Sequence, residues 1–306
     1  MKYIGSAVRN YLVLITLYLL LGLLLPASSV DMQNYGLSAR EYHVLRFVLA
    51  LPLALVWFTA FYGYARLKEY AAVMDNTAES RGFQQLARGV HWLAWGLALP
   101  SVLSLVLNNG IANAHPNLHE AAVISINYIT LALTLVGLVI TSNATHELAL
   151  RSKRTFSAAS ARSLQFIFVT SGVLYCYLTF RHVDMQSLAS TNNAYFLPVW
   201  LLIMTIIIPS LYAWFVGLLA AYDITLMAKQ THGLLYRHAL RNLAAGLVVV
   251  IASYVAQQYL HTVVPRTGHL SLNTTLLLTY SIYICTMLGF VLMTVGAIRL
   301  KRIEEV

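Results

Sequence analysis

The stretch YLVLITLYLLLGLLL, Tyr11–Leu25, contains no charge and no proline. A strand facing lipid on one side alternates apolar and polar side chains, and this run does not. As a helix it already covers most of the roughly 30 Å of hydrocarbon that a bilayer presents. Apolar windows of spanning length recur near 8–28, 43–65, 88–108, 121–145, 163–181, 196–222, 241–262 and 274–298. They predict an all-α polytopic membrane protein with eight transmembrane helices. Composition agrees. Of 306 residues, 59% are hydrophobic and 10% charged, with a mean hydropathy of +0.68, which is too little polar surface to cover a water-soluble domain of this size.

The formal net charge of +9 suggests nucleic acid until the cations are located. Sixteen of the twenty Lys and Arg residues, Lys2, Arg66, Lys68, Arg88, Arg241 and Lys301 among them, fall in termini or connections that eight crossings place on one side. Only Arg40, Arg46, Arg181 and Arg266 fall on the other. Cytoplasmic connections are the ones enriched in Lys and Arg, so this bias predicts a multi-pass protein of the cell membrane with both termini in the cytoplasm. The basic balance is then topological. Its partner is the lipid bilayer with its anionic headgroups rather than nucleic acid, and the basic loops offer a surface to a cytoplasmic protein.

The first run also has the form of a cleaved signal peptide, with a basic start and PASS after it. Cleavage would leave seven spans and an external amino terminus. An internal similarity argues against it. VDMQ occurs at Val30–Gln33 and again at Val183–Gln186, an offset of 153. In the next helix of each half, Pro52, Trp57 and Phe58 match Pro209, Trp214 and Phe215 at an offset of 157. Further on, Arg88 faces Arg241 at 153, while Tyr128, Gly137, Val139 and Leu148 meet Tyr280, Gly289, Val291 and Leu300 at 152. Length changes fall only in connections, as expected of a duplicated unit. The first helix then corresponds to the fifth, which cannot be a leader. The chain divides into a four-helix repeat over 1–150, a basic linker over 151–163 and a second repeat over 164–306. An even number of helices gives both repeats the same orientation, with a pseudo-twofold axis along the membrane normal.

Recognisable catalytic machinery is missing from the pattern. The eleven acidic residues lie in loops or at helix ends, Asp223 being the deepest, and no lysine sits near the middle of a span, so neither a carboxylate relay nor a retinal Schiff base is indicated. HEAAV at 119 and HELAL at 146 each lack the second histidine of a zinc-protease HExxH. Cys176 and Cys285 fall inside spans, where a thiol packs. No cofactor is expected from these features. The histidines are the exception to consider, because neutral imidazoles gathered on one face bind a metal or a haem iron: His115 and His119 in AHPNLHE, with His182 and His261, all fall at the outer level. His91, beside Trp92 and Trp95 in ARGVHWLAWG, reads as an interfacial aromatic belt.

The repeated P-x-x-x-x-W-F of the second and sixth spans is the remaining candidate for a site. Proline removes a helix hydrogen bond and leaves a carbonyl for a neighbour, a water or a ligand. Two such bends related by symmetry predict a binding site lined by Pro52, Trp57, Pro209 and Trp214, with Asn127 and Gln257 as polar contributors. Three functions follow as expectations. The first is a non-catalytic sensory or scaffold component acting through a partner. The second is a small-molecule transporter with its site between the repeats, and the third a metal or haem protein using the outer histidines.

Overall fold

The computed structural model describes residues 2–29, 32, 36–74, 77–115, 119–151, 165–174, 199–231, 233–260 and 271–304. Within them every regular element is helical. In chain order these are α1 (Lys2–Leu24), α2 (Ala39–Val73), α3 (Ala78–Ser104), α4 (His119–Arg151), α5 (Gln165–Leu174), α6 (Val199–Gln230), α7 (Leu234–Gln258) and α8 (Leu272–Glu304). Beyond Ser104 the chain winds on as π-helix over Leu105–Ile111 and returns to α-helix over Ala112–Ala114. Seven of these helices, all except α5, are long and apolar enough to cross a membrane, the build of a polytopic membrane protein. Of the window at 163–181 only Gln165–Leu174 is described. The second VDMQ and, apart from Arg151, the expected linker lie outside the described residues.

Capping side chains fix where α2 and α3 begin. Ser38 accepts from the Glu41 backbone N–H at 3.3 Å, and the Glu41 carboxylate accepts from the Ser38 N–H at 2.8 Å, a reciprocal box that starts α2. Thr77 accepts from the Ser80 N–H at 3.0 Å and starts α3. With its 35 residues, α2 is about 52 Å long at 1.5 Å per residue, well beyond the hydrocarbon thickness.

One end of the bundle gathers the cations. There the carboxylate of Glu69 in α2 pairs with Arg66 at 3.0 Å and with Lys301 of α8 at 3.8 Å. Lys68 lies over the Tyr3 ring of α1, and the Tyr70 hydroxyl meets that of Tyr236 in α7 at 3.2 Å. In α6, buried Asp223 faces His146 of α4 at 3.5 Å. We call this the basic end.

Two helix pairs pack with their backbones in contact, α3 on α4 and α7 on α8. A Cβ on Gly137 would sit 2.9 Å from the Gly89 carbonyl oxygen, and one on Gly246 would sit 2.4 Å from the Gly289 carbonyl oxygen. Only glycine permits that approach. Around these pairs α2 packs against α1, α3 and α8, while α6 packs against α4 and α7. Trp57, Phe61, Tyr70, Phe83 and Phe290 fill the interior. Large apolar side chains also lie on the outside, with Leu24, Leu51 and Leu277 each more than 60% exposed. In water such a surface would aggregate, whereas in a bilayer it meets its solvent.

Candidate functional site

Pro52 has no N–H to give the Val48 carbonyl one turn back. The Tyr280 hydroxyl of α8 donates to that carbonyl at 3.1 Å. The gap opened by the proline is therefore closed by a neighbouring helix. Pro209 likewise sits inside α6 without ending it.

The two tryptophans lean on the helix that precedes theirs. Trp57 is fully buried, and its ring meets Tyr18 of α1 edge to face at 5.6 Å. Trp214 donates from Nε1 to the Ser171 hydroxyl of α5 at 2.7 Å. Asn127 is half-buried in α4 with its Nδ2 unbonded among the described residues. Gln257 is half-buried in the last turn of α7, next to buried Gln258. These six residues are spread over α2, α4, α6 and α7, with Trp57 turned to α1 and Trp214 to α5.

Of the outer histidines, His115 is exposed just past Ala114 and His119 begins α4, where only its backbone is described. His182 and His261 lie outside the described residues. Within the described residues no three His, Cys, Asp or Glu side chains stand close enough to hold a metal ion.

Arg46 escaped the sequence reading. It was assigned to the outer side by charge counting, yet it is only 6% exposed. Its Nη1 donates to the Gly22 carbonyl of α1 at 2.9 Å, and its guanidinium lies 4.8 Å above the Tyr42 ring. Nε and Nη2 are buried and lack partners among the described residues. Tyr18 stands close enough to feel the Arg46 charge, and Tyr283 is near Tyr18. A guanidinium carries five donors in a planar fork, and a buried one is normally paired with a carboxylate or phosphate. One signal was available in the sequence, since Arg46 falls inside the expected window 43–65, one helical turn from Tyr42.

The π-helical continuation of α3 fastens this end of the site. Asn109, buried on that segment, donates from Nδ2 to the Pro26 carbonyl and to the Tyr42 hydroxyl, each at 3.1 Å. Asn113 donates to the Ala27 carbonyl at 2.6 Å and accepts from the Ser29 N–H at 2.9 Å. The α1–α2 connection is thus tied to α3, with Arg46 beneath it.

At the basic end His91 joins an aromatic group instead of standing free at an interface. Trp95 donates from Nε1 to His91 Nε2 at 2.9 Å, and the Tyr64 ring centre lies 4.3 Å from that of His91. Lys68 donates to the Tyr64 hydroxyl at 3.1 Å. Neither this group nor the Arg46 site places a nucleophile beside a base. The chain matches no protein-family model, no curated protein and no solved structure.

Proposed function

We propose that the protein is a non-catalytic sensor or scaffold of the cell membrane that receives a small anionic ligand at Arg46 and passes its output to a partner through the basic loops. One observation carries this reading: a buried guanidinium with two unpartnered donors, set where α1, α2 and the continuation of α3 are laced together. A carboxylate or phosphate reaching Nε and Nη2 would supply the bidentate partner that the site lacks. Because Arg46 also holds the Gly22 carbonyl, a ligand that draws the guanidinium away would loosen α1 from α2. Such a change would reach the basic end along α1. With the basic connections in the cytoplasm, as their charge bias implies, both termini are cytoplasmic and Arg46 lies in the outer half of the bilayer.

The architecture in this reading is eight transmembrane helices built as two parallel four-helix repeats. Ring pairs support it. Tyr11 meets Phe58 and Phe168 meets Phe215, and in both cases the partners are 47 residues apart in the chain, which equates α5 with α1. The packing of α2 on α8 and of α6 on α4 is what exchange of the two halves would produce. Among the described contacts, the glycine pairs favour aligning Gly89 with Gly246 at an offset of 157, one turn from the Arg88–Arg241 match. The same offset then holds for the first three helices of each repeat. The transport reading has less behind it, because Tyr280 already occupies the carbonyl that Pro52 frees.

Thermal unfolding of the detergent-purified protein against acetate, succinate, inorganic phosphate and chloride tests the Arg46 site. Stabilisation by a carboxylate or phosphate that disappears in Arg46→Gln supports the proposal. Equal responses of wild type and Arg46→Gln to every anion would reject it.

A further inference from the structure

We infer that the groove between α6 and α7 at the basic end binds an acidic phospholipid, with the lipid phosphate on Arg241 and an acyl chain against Leu218, Ala221 and Val248. The inference rests on the membrane location of the bundle and is independent of Arg46. A cavity of about 320 Å³ opens there, lined by those residues together with Thr225 and Ala245, within the size range of small-ligand sites. Arg241 is exposed, and among the described residues it has no hydrogen-bond or ion-pair partner. The Thr225 hydroxyl already donates to the Ala221 carbonyl at 2.8 Å, which leaves Arg241 as the charged donor of the groove.

Charge decides the occupant. Lys229 lies one turn beyond Thr225 on α6, and Arg237 lies one turn beyond Arg241 on α7, so by helical spacing both lining faces continue into cations. A headgroup phosphate at Arg241 would sit in a field of three positive charges, where a choline headgroup would bring a fourth. Apolar walls run from Arg241 to Val248, about 10 Å along α7. A free phosphate would leave them exposed, whereas a lipid tail buries them. Between α2 and α3 the corresponding space is occupied by the protein's own rings, Phe61, Tyr64, His91 and Trp95. In the α6–α7 groove Leu218, Ala221 and Val248 leave it open.

The test is native mass spectrometry of the delipidated full chain in detergent, offered equimolar phosphatidylglycerol and phosphatidylcholine. Wild type is expected to retain one phosphatidylglycerol in preference, and Arg241→Gln to lose that preference by about tenfold or more, the worth of one charge-assisted hydrogen bond. Arg241→Lys should recover part of it, and Ala245→Trp, which fills the groove from its exposed rim, should abolish retention of both lipids without lowering the melting temperature. Millimolar inorganic phosphate should not displace the lipid. Equal phosphatidylglycerol retention by wild type and Arg241→Gln overturns the inference, as does full retention by Ala245→Trp. Displacement by free phosphate also overturns it, by showing that the groove recognises the anion alone.

Discussion

The groove between α2 and α3 and the groove between α6 and α7 lie at the same end of the bundle and are built from helices of the same length class, yet one is filled and the other hollow. In the first, Phe61 and Tyr64 of α2 interlock with His91 and Trp95 of α3, and Lys68 closes the top over the Tyr64 and Tyr3 rings. In the second, Leu218, Ala221 and Thr225 face Arg241 and Val248 across an open space. The difference lies in the side chains: rings interlock in one groove, while small and aliphatic residues leave the other open. Packing aromatic rings stabilises by area and edge-to-face geometry, and replacing them by small side chains leaves cation and cavity as the distinguishing properties.

The largest expected effect separates the two grooves directly. Phe61→Ala removes a ring that is 1% exposed and should cost about 3–5 kcal/mol of stability. Leu218→Ala, beside space that already exists, should cost no more than about 2 kcal/mol. Chemical denaturation of the two variants in the same detergent measures the gap, and equal losses would mean that the second groove is as tightly filled as the first. Next in size is Trp95→Phe, which keeps an aromatic ring but leaves Nε2 of half-buried His91 without its donor. A loss of about 1–3 kcal/mol is expected, visible in the same assay, and a change below about 0.5 kcal/mol would show that water replaces the indole N–H. The smallest is Lys68→Met. It removes the cation over Tyr3 and Tyr64 but keeps the apolar stem, so about 0.5–1 kcal/mol should be lost. A stabilised Lys68→Met would indicate that the roof is held by packing and that the charge opposes it.

The fold class was legible because hydropathy reports solvent preference along a single segment. Seven of the expected windows appear as long apolar helices, although α2 runs over Ala39–Val73 where the apolar window covered only 43–65, since Ser38 caps its start and Met74 its end instead of the lipid boundary. What hydropathy does not report is which faces meet. Arg46 was assigned outward by counting charges across eight expected crossings, yet it is buried against a carbonyl of α1 and a ring one turn away. The proline motif was legible as a backbone defect, but the group that repairs it, Tyr280, comes from another helix. His91 was read with Trp92 and Trp95 as an interfacial belt, whereas the structure bonds it to Trp95 and places it near Tyr64 of α2. The α6–α7 groove carries no signal of its own in the sequence, because the small and aliphatic residues that line most of it describe a tight contact as readily as an open one.

The hydrogen bond from Tyr280 to the Val48 carbonyl bears on biogenesis. Its partners are 232 residues apart, so α2 enters the membrane with an unpaired carbonyl long before the ribosome makes the hydroxyl that satisfies it. Until α8 arrives, that carbonyl needs water or an insertion chaperone. The first four helices are therefore an incomplete unit during synthesis, and separately expressed halves should accumulate only when they are made together.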